Sequence, residues 1–182
     1  MDKLLVLFTF LGSLFALIFA IITARKVMSF SEGSELMMKI SSSIRRGAGA
    51  YLKRQYKIVV VFFAIMFVIL TAMAFFGFLT PFVPFAFVSG GFFSALSGFV
   101  GMKIATSANS RTANACQEGL NRGLRVAFSS GSVMGFTVVG LGLLDISVWF
   151  FLLKFIFKLP NEAITSAMLT FGMGASSMAL FA

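Results

Sequence analysis

Few side chains in this sequence could carry acid–base, metal or nucleophilic chemistry. There is no histidine and Cys116 is the single cysteine, which excludes imidazole bases, an internal disulfide and Cys-x-x-Cys metal sites. We interpret Cys116 as a passive loop thiol rather than a redox switch. The six carboxylates form no cluster with the spacing of metal ligands or of an acid–base pair. They are Asp2, Glu32, Glu35, Glu118, Asp145 and Glu162.

The composition shows that the elements around these groups lie in lipid. Hydrophobic residues fill 59% of the 182 positions, and 25 of them are phenylalanine. A soluble domain of this size cannot bury so much hydrocarbon, so most of the chain must have lipid as its solvent. The net charge of +9 would suit nucleic acid. We exclude that partner, because the cations follow the membrane topology and form no basic domain.

Five apolar runs predict an all-α, polytopic bundle of transmembrane helices. The first run has 19 residues without a charge, about 28 Å as a helix, which exceeds the apolar core of a typical signal peptide. Pro81 and Pro84 suit a tight turn between the second and third runs. The predicted spans are 4–22, 58–79, 85–104, 124–144 with an alternative end at 157, and 163–182.

Two basic loops set the predicted orientation. Twelve of the 15 lysines and arginines lie within, or no more than two residues from, the loops 23–57 and 105–123. The positive-inside rule places both loops in the cytoplasm and the N-terminus outside. In the first loop, Ser31 and Ser34 are candidate N-caps of an amphipathic helix that leads directly into the second span.

Small residues at a spacing of four mark the third and fourth spans. Gly90, Ser94 and Gly98 share one helix face, and Gly131 and Gly135 repeat the spacing. Such stripes let helix backbones approach closely in a bilayer, where apolar burial alone gives little drive. Gly101 and Ala105 continue the first stripe, and we expect the unit to be a helix, a water-exposed loop and a returning helix.

Four stretches carry longer motifs. Residues 38–57 contain G-A-x-A-Y-L-x-R-Q-Y, and residues 98–115 contain G-M-x-I-A-T-x-A-N-x-R-T-A. Residues 123–144 contain V-A-F-x-x-G-x-V-M-G, and residues 174–181 have the sequence GASSMALF. In this order, the motifs resemble those of the membrane-bound proton- or sodium-translocating pyrophosphatases, and the likeness covers roughly residues 38–182.

The resemblance implies a homodimer with about sixteen transmembrane helices per subunit, of which this chain supplies about five. It implies that pyrophosphate, bound as a magnesium complex, is hydrolysed at the cytoplasmic end of an inner helix ring. Hydrolysis would drive a proton or sodium ion across the membrane, and K⁺ stays open as a further cofactor besides Mg²⁺. In the family, the residues that bind the metal–pyrophosphate complex follow the S-S-M-A-L-F motif.

Because the chain ends at Ala182, just before that part, we predict an N-terminal fragment that is inactive alone. We predict no catalytic, cofactor-binding or metal-binding residue within it. Asp145 suits an interfacial position at the outer end of the fourth helix better than a relay carboxylate. Thr170, Gly174 and Ser177 share a helix face that either packs closely or lines a pathway, and we favour packing.

The arginines of the second loop also have two interpretations. Arg111, Arg122 and Arg125 either anchor the topology, which we favour, or attract pyrophosphate to the cytoplasmic mouth. For the chain as a whole, the alternative to a pump fragment is a complete, small, non-enzymatic membrane protein, either a transporter subunit or an assembly factor. Both hypotheses predict an integral, multi-pass protein in a bacterial-type cell membrane.

Overall fold

A computed structural model describes residues 2–181, with the side chains of residues 4–180. Each of its five α-helices is long and apolar enough to cross a membrane. The predicted all-α bundle of transmembrane helices is therefore confirmed. The elements are α1 (Asp2–Met28), α2 (Glu35–Phe75), α3 (Val83–Gln117), α4 (Leu120–Phe151), a π-helical segment (Leu152–Ile156) and α5 (Asn161–Phe181).

α2 is much longer than a membrane span. Its 41 residues extend for about 60 Å, whereas the hydrocarbon core of a bilayer is about 30 Å thick. The first half is the amphipathic helix, and it continues into the apolar half without a break. The hydroxyl of Ser34 caps the helix by accepting a hydrogen bond from the N–H of Met37 at 3.4 Å, whereas Ser31 accepts one from the N–H of Gly33.

The segment 105–123, predicted as a cytoplasmic loop containing a short helix, is helical over most of its length. It is helical on both sides of a short break at Glu118 and Gly119. Gly119 has a φ of +134°, which suits glycine because it has no Cβ. Alanines at four of the positions 105–117 favour this helix. We call the side of the bundle formed by 23–57 and 103–125 the basic end.

α4 follows the longer of the two predicted alternatives. It passes residue 144 and continues as a π-helical segment to Ile156. The turn after it contains Lys158, whose φ is +51°, and Pro160, whose carbonyl accepts the N–H groups of Ala163 and Ile164. The chain thus reverses into α5 through a compact turn.

α3 is the central element of the bundle. It packs extensively against α4 and α5 and also against α2, whereas α1 packs mainly on α4. Away from the basic end, α3, α5 and the π-helical segment share a cluster of buried apolar residues. Its members are Val83, Ala86, Leu153, Ile164, Ala167 and Phe171.

Two glycines bring the backbones of α3 and α5 into direct contact. A Cβ built on Gly174 would overlap the carbonyl oxygen of Phe87, and one built on Gly90 would overlap that of Phe171. Each overlap involves backbone, which cannot rotate away as a side chain can. The two helices can therefore pack this closely only because both positions lack a side chain.

The small-residue stripe of α3 serves two partners, since a Cβ on Gly101, which continues the stripe, would overlap Met134 of α4. Ser94 also faces α5, and its hydroxyl donates to the carbonyl of Ala175 at 3.2 Å. On α4, a Cβ added to Gly131 or Gly135 would meet no atom within 4 Å, while one on Gly140 would meet α1. The spacing of four thus marked close packing on α3, against both α4 and α5.

We predict that Gly174→Ala lowers the stability of the bundle by about 1–3 kcal/mol, because the added methyl overpacks the contact with α3. The matched control is Gly172→Ala on the same helix, where the methyl meets no atom within 4 Å. That change should be neutral or should stabilise the helix by up to about 1 kcal/mol. Thermal unfolding in detergent measures both, and equal midpoints for the two variants would contradict the assigned contact.

Candidate functional site

The described polar groups gather at the two ends of α3 and not around a metal position. Among the side chains of residues 4–180, the structure has no group of three or more His, Cys, Asp and Glu residues that could hold a metal ion. At the basic end, Glu32 lies between Arg45 of α2 and Arg111 of α3. We call these three residues the arginine cluster.

Arg111 is the buried member of the arginine cluster, with only 8% of its side chain exposed. Its Nε donates to the carbonyl of Phe30 at 3.0 Å and its Nη1 to that of Ser107 at 2.6 Å. Its Nη2 lies 3.4 Å from the carbonyl of Met28. Nη1 also lies 3.0 Å from a carboxylate oxygen of Glu32.

These bonds explain why a guanidinium occupies this position. The last carbonyls of a helix have no partner within the helix, and Arg111 provides donors for Met28 and Phe30 at the end of α1. Arginine offers five N–H donors in a planar arrangement. A single residue of α3 thereby holds the segment that connects α1 to α2.

Glu32 neutralises the two arginines around it. Nη1 and Nη2 of Arg45 donate to its two carboxylate oxygens, each at 3.0 Å, which is the strong bidentate arrangement. The hydrogen bonds from Arg45 and the positive charge of Arg111 hold the pKa of Glu32 below its ordinary value, and they outweigh the opposite effect of partial burial. The carboxylate therefore stays ionised at neutral pH.

Two further contacts join α2 and the turn before it to α3 at the basic end. The hydroxyl of Ser110 lies 3.3 Å from that of Ser41, and both residues are buried. Gly33 adopts a φ of +86°, and a Cβ there would lie 2.9 Å from Oδ1 of Asn114. The turn before α2 thus fits against α3 without room for a side chain.

The other two arginines of the predicted loop stay outside this cluster. Arg122 forms an ion pair with Glu118 one helical turn away, and both side chains are half exposed. Arg125 is exposed. Sequence reasoning treated the three arginines alike and did not assign a partner to Glu32, because its two arginines are 13 and 79 residues away.

At the other end of α3, Ser89 accepts a hydrogen bond from Nε1 of Trp149 at 2.7 Å. Asp145, one turn before Trp149 on α4, is only 4% exposed. We call Ser89 and Trp149 the Ser89 cluster. Asp145 is buried within the bundle, and its predicted interfacial depth at the outer end of α4 stays a prediction.

The structure also shows the surroundings of Thr170, Ser177 and Cys116, for which the sequence allowed two interpretations. The hydroxyls of Thr170 and Ser177 donate to carbonyls one turn earlier on α5, those of Ser166 and Met173. Back-bonding satisfies a hydroxyl within its own helix, and together with Gly174 it supports the packing interpretation. Cys116 is an exposed free thiol.

The arrangement at the basic end holds α2 and the end of α1 to α3. Glu32 is occupied by two arginines, and Glu118 pairs with Arg122. The central helix of this bundle is held to its neighbours by polar side chains at each of its ends. A bundle of transmembrane helices of this kind belongs to the class of polytopic membrane proteins.

Comparison with known proteins identifies the family. The sequence profile described as inorganic H⁺ pyrophosphatase matches residues 14–182. A protein of Bacteroides thetaiotaomicron, whose name describes a K⁺-stimulated, pyrophosphate-energized sodium pump, is 50% identical over 192 residues, covering 100% of this chain and 26% of the relative. The chain belongs to the ion-translocating pyrophosphatase family, which confirms the resemblance.

The names of two other relatives specify different ions. A K⁺-insensitive pyrophosphate-energized proton pump of Caldanaerobacter subterraneus is 37% identical, covering 86% of this chain and 24% of the relative. A Clostridium tetani protein with a sodium-pump name is 40% identical, covering 97% of this chain and 24% of the relative. The chain spans about a quarter of the length of the curated relatives it matches.

We predict that Arg111→Ala lowers the free energy of unfolding by at least about 3 kcal/mol, because it leaves buried carbonyls and a carboxylate without their donor. Arg111→Lys should recover only part of this loss, since an ammonium cannot reproduce the planar set of donors. The control is Arg122→Ala, which removes an exposed pair and should cost about 0–1 kcal/mol. Thermal unfolding in detergent decides between them, and equal losses for Arg111→Ala and Arg122→Ala would show that Arg111 is not a brace.

A second prediction concerns pH. Because the pKa of Glu32 is lowered in the folded state, its ionised form stabilises the fold at neutral pH, and this contribution is lost as the pH falls below the ordinary value of 4.5. Glu32→Gln should therefore lower the unfolding midpoint at neutral pH, and the difference from wild type should shrink in acid. Glu118→Gln, in the exposed pair, is the control with a small effect at either pH. A difference for Glu32→Gln that stayed constant down to strongly acidic pH would refute this account.

Proposed function

We propose that this chain forms the first helices of an ion pump that couples pyrophosphate hydrolysis to export of sodium or protons. The observation that carries the proposal is the match over the entire chain, at 50% identity, to a relative whose name describes a pyrophosphate-energized sodium pump. Because this identity exceeds the 37% to a proton pump, sodium is the ion to test first.

The proposed role of these residues is structural support for a catalytic part elsewhere in the pump. Hydrolysis of pyrophosphate needs metal-binding carboxylates and cations around the phosphates. In residues 4–180, Glu32 is held between two arginines and Glu118 pairs with Arg122. Asp145 is buried away from both. These carboxylates do not fit a magnesium site, so we assign the Mg²⁺ complex of the substrate to other parts of the pump.

Within the pump, the chain's own residues would fix the height and tilt of α5 against α3. The backbone contacts at Gly90 and Gly174 leave little freedom for sliding. The arginine cluster holds the opposite side of α3 to the end of α1 and to α2. We propose that the basic end faces the cytoplasm, in line with the positive-inside rule, and that the complete pump is a homodimer in the cell membrane.

Membrane vesicles containing the protein from its complete reading frame test this function. Pyrophosphate with Mg²⁺ should release phosphate and load the vesicles with ²²Na⁺, and K⁺ should stimulate both if the sodium hypothesis holds. Acidification of the lumen without ²²Na⁺ uptake would establish protons as the ion. Phosphate release by neither vesicles nor purified protein would refute the proposal.

The 182-residue chain alone provides the matched control. It should release no phosphate from pyrophosphate above the level of empty vesicles, because we assign the metal–pyrophosphate complex to other parts of the pump. Turnover by this chain would show that its carboxylates or cations bind substrate after all. A stop codon directly after Ala182 in the gene would favour the alternative, a small non-enzymatic membrane protein.

A further inference from the structure

An apolar groove runs along α3, beside α2 and the end of α4. Its volume is about 990 Å³, near the upper end of the range of about 300–1,000 Å³ for ligand pockets in proteins. On α3 it extends from Phe85 to Phe99, which is about 21 Å of helix. α2 contributes lining residues from Tyr56 to Phe67, and α4 contributes Trp149. No lining residue is charged, so the groove suits the hydrocarbon part of the membrane.

The groove opens on the side of α3 that is turned away from α5. α5 contacts α3 at Gly90 and Ser94. Phe92, which lines the groove, is two residues from each of them, and two residues correspond to a rotation of about 200° in a helix. Phe92 is 61% exposed. The groove therefore lies opposite α5, and the described helices leave its phenylalanine lining uncovered.

The polar groups in the lining of the groove are engaged with the protein itself. The hydroxyl of Tyr56 donates to the carbonyl of Ala95 at 2.6 Å. The indole N–H of Trp149 donates to the hydroxyl of Ser89 at 2.7 Å, and this hydroxyl lies 3.1 Å from the carbonyl of Ala86. Each side-chain donor of the lining is thus used. A polar occupant would lose its bonds to water without replacement, whereas hydrocarbon needs none.

Cationic side chains continue the groove toward the basic end. Lys103 follows Phe99 by four residues and Lys53 precedes Tyr56 by three, spacings that place each pair on one helix face. Nζ of Lys103 lies 5.9 Å from the centre of the Phe99 ring, a distance at which a cation and an aromatic face attract. Both lysines are exposed, and among the side chains of residues 4–180 neither forms a salt bridge. Two positive charges without a carboxylate partner thus lie at one end of an apolar groove.

This charge pattern is complementary to a phospholipid with an anionic headgroup. Its acyl chains need only hydrocarbon contacts, and basic pockets between transmembrane helices bind anionic headgroups at the membrane boundary. A further helix fits less well, because a helix is about 10 Å across with its side chains and a length of about 21 Å would fill more than about 1,600 Å³. An apolar helix would also offer the two lysines no negative charge.

We propose that this groove binds an anionic phospholipid of the membrane leaflet on the side of the basic end. The acyl chains lie along α3 between Phe85 and Phe99, and Lys53 and Lys103 hold the phosphate. Because apolar burial gives little drive within a bilayer, close packing and the charge contact decide the affinity. The proposal depends on the groove and the two lysines and not on the proposed pump activity.

Photo-crosslinking in lipid vesicles tests the site, with the protein from its complete reading frame. The vesicles consist of phosphatidylcholine with a small share of phosphatidylglycerol that carries a photoreactive group in one acyl chain. A parallel sample contains phosphatidylcholine with the same photoreactive chain. Mass spectrometry of the irradiated protein should find adducts concentrated on residues 56–67 and 85–99, with several times more adduct from the phosphatidylglycerol probe.

Two lysine pairs provide the matched comparison. Lys53→Gln combined with Lys103→Gln should lower the phosphatidylglycerol adducts in the groove about tenfold, because each lysine near a membrane surface strengthens the binding of anionic lipid severalfold. The phosphatidylcholine adducts should stay unchanged. Lys26→Gln combined with Lys39→Gln removes two exposed lysines of the basic end and changes the net charge equally, but it should leave both sets of adducts unchanged. Ala64→Trp, which fills the groove from α2, should lower the adducts of both probes.

Three results would overturn the proposal. Adducts spread evenly over α1 to α4 would show only a general shell of lipid. Equal losses in the two double variants would show that the basic end as a whole attracts the lipid. Absence of adducts from the groove of the wild type would show that a helix of the same polypeptide or of a second copy fills it. Circular dichroism and size-exclusion profiles equal to wild type establish that each variant is folded, and pyrophosphate hydrolysis is measured separately because its absence leaves the crosslinks unchanged.

Discussion

Hydrocarbon offers no hydrogen-bond partner, and this constraint governs where every polar side chain of the bundle lies. Within the membrane-facing helices, hydroxyls bond to carbonyls of their own helix, as Ser13, Thr137 and Thr170 do. A group that cannot be satisfied in this way must find a partner on another helix, since an unpaired polar group in lipid costs several kcal/mol. The few bonds between helices are therefore the places where the structure assigns polar residues a specific neighbour.

The same constraint explains why α3 is the central helix. Apolar burial does not distinguish one helix partner from another in lipid, so shape and hydrogen bonds decide the contacts. α3 provides both: Gly90 admits the backbone of α5, and Ser94 donates to it. Its two ends carry further polar contacts, through Arg111 and Ser89. The neighbours of α3 are thereby specified even though most of the bundle surface is featureless hydrocarbon.

Much of this fold could be predicted because lipid imposes a strong and simple pattern on sequence. Charge-free runs identified the five helices, and Ser34 marked the start of α2. The polarity of the segment 105–117 indicated exposure to water but did not show how much of it is helical. The arginine cluster was beyond prediction, because Glu32 joins residues from three segments whose proximity depends on helix packing. For Asp145, sequence indicated depth in the membrane but not the direction of the side chain.

The two polar clusters together fix the position of α3 along the membrane normal. Ser89 and Arg111 are 22 residues apart, about 33 Å in a helix, which matches the thickness of about 30 Å of the hydrocarbon core. Arg111 holds one end to α1 and α2, and Ser89 holds the other to α4. A shift of α3 by one turn would break both networks at once and move a guanidinium toward lipid. Because α5 contacts the backbone of α3 between these two points, the clusters also set the height of α5.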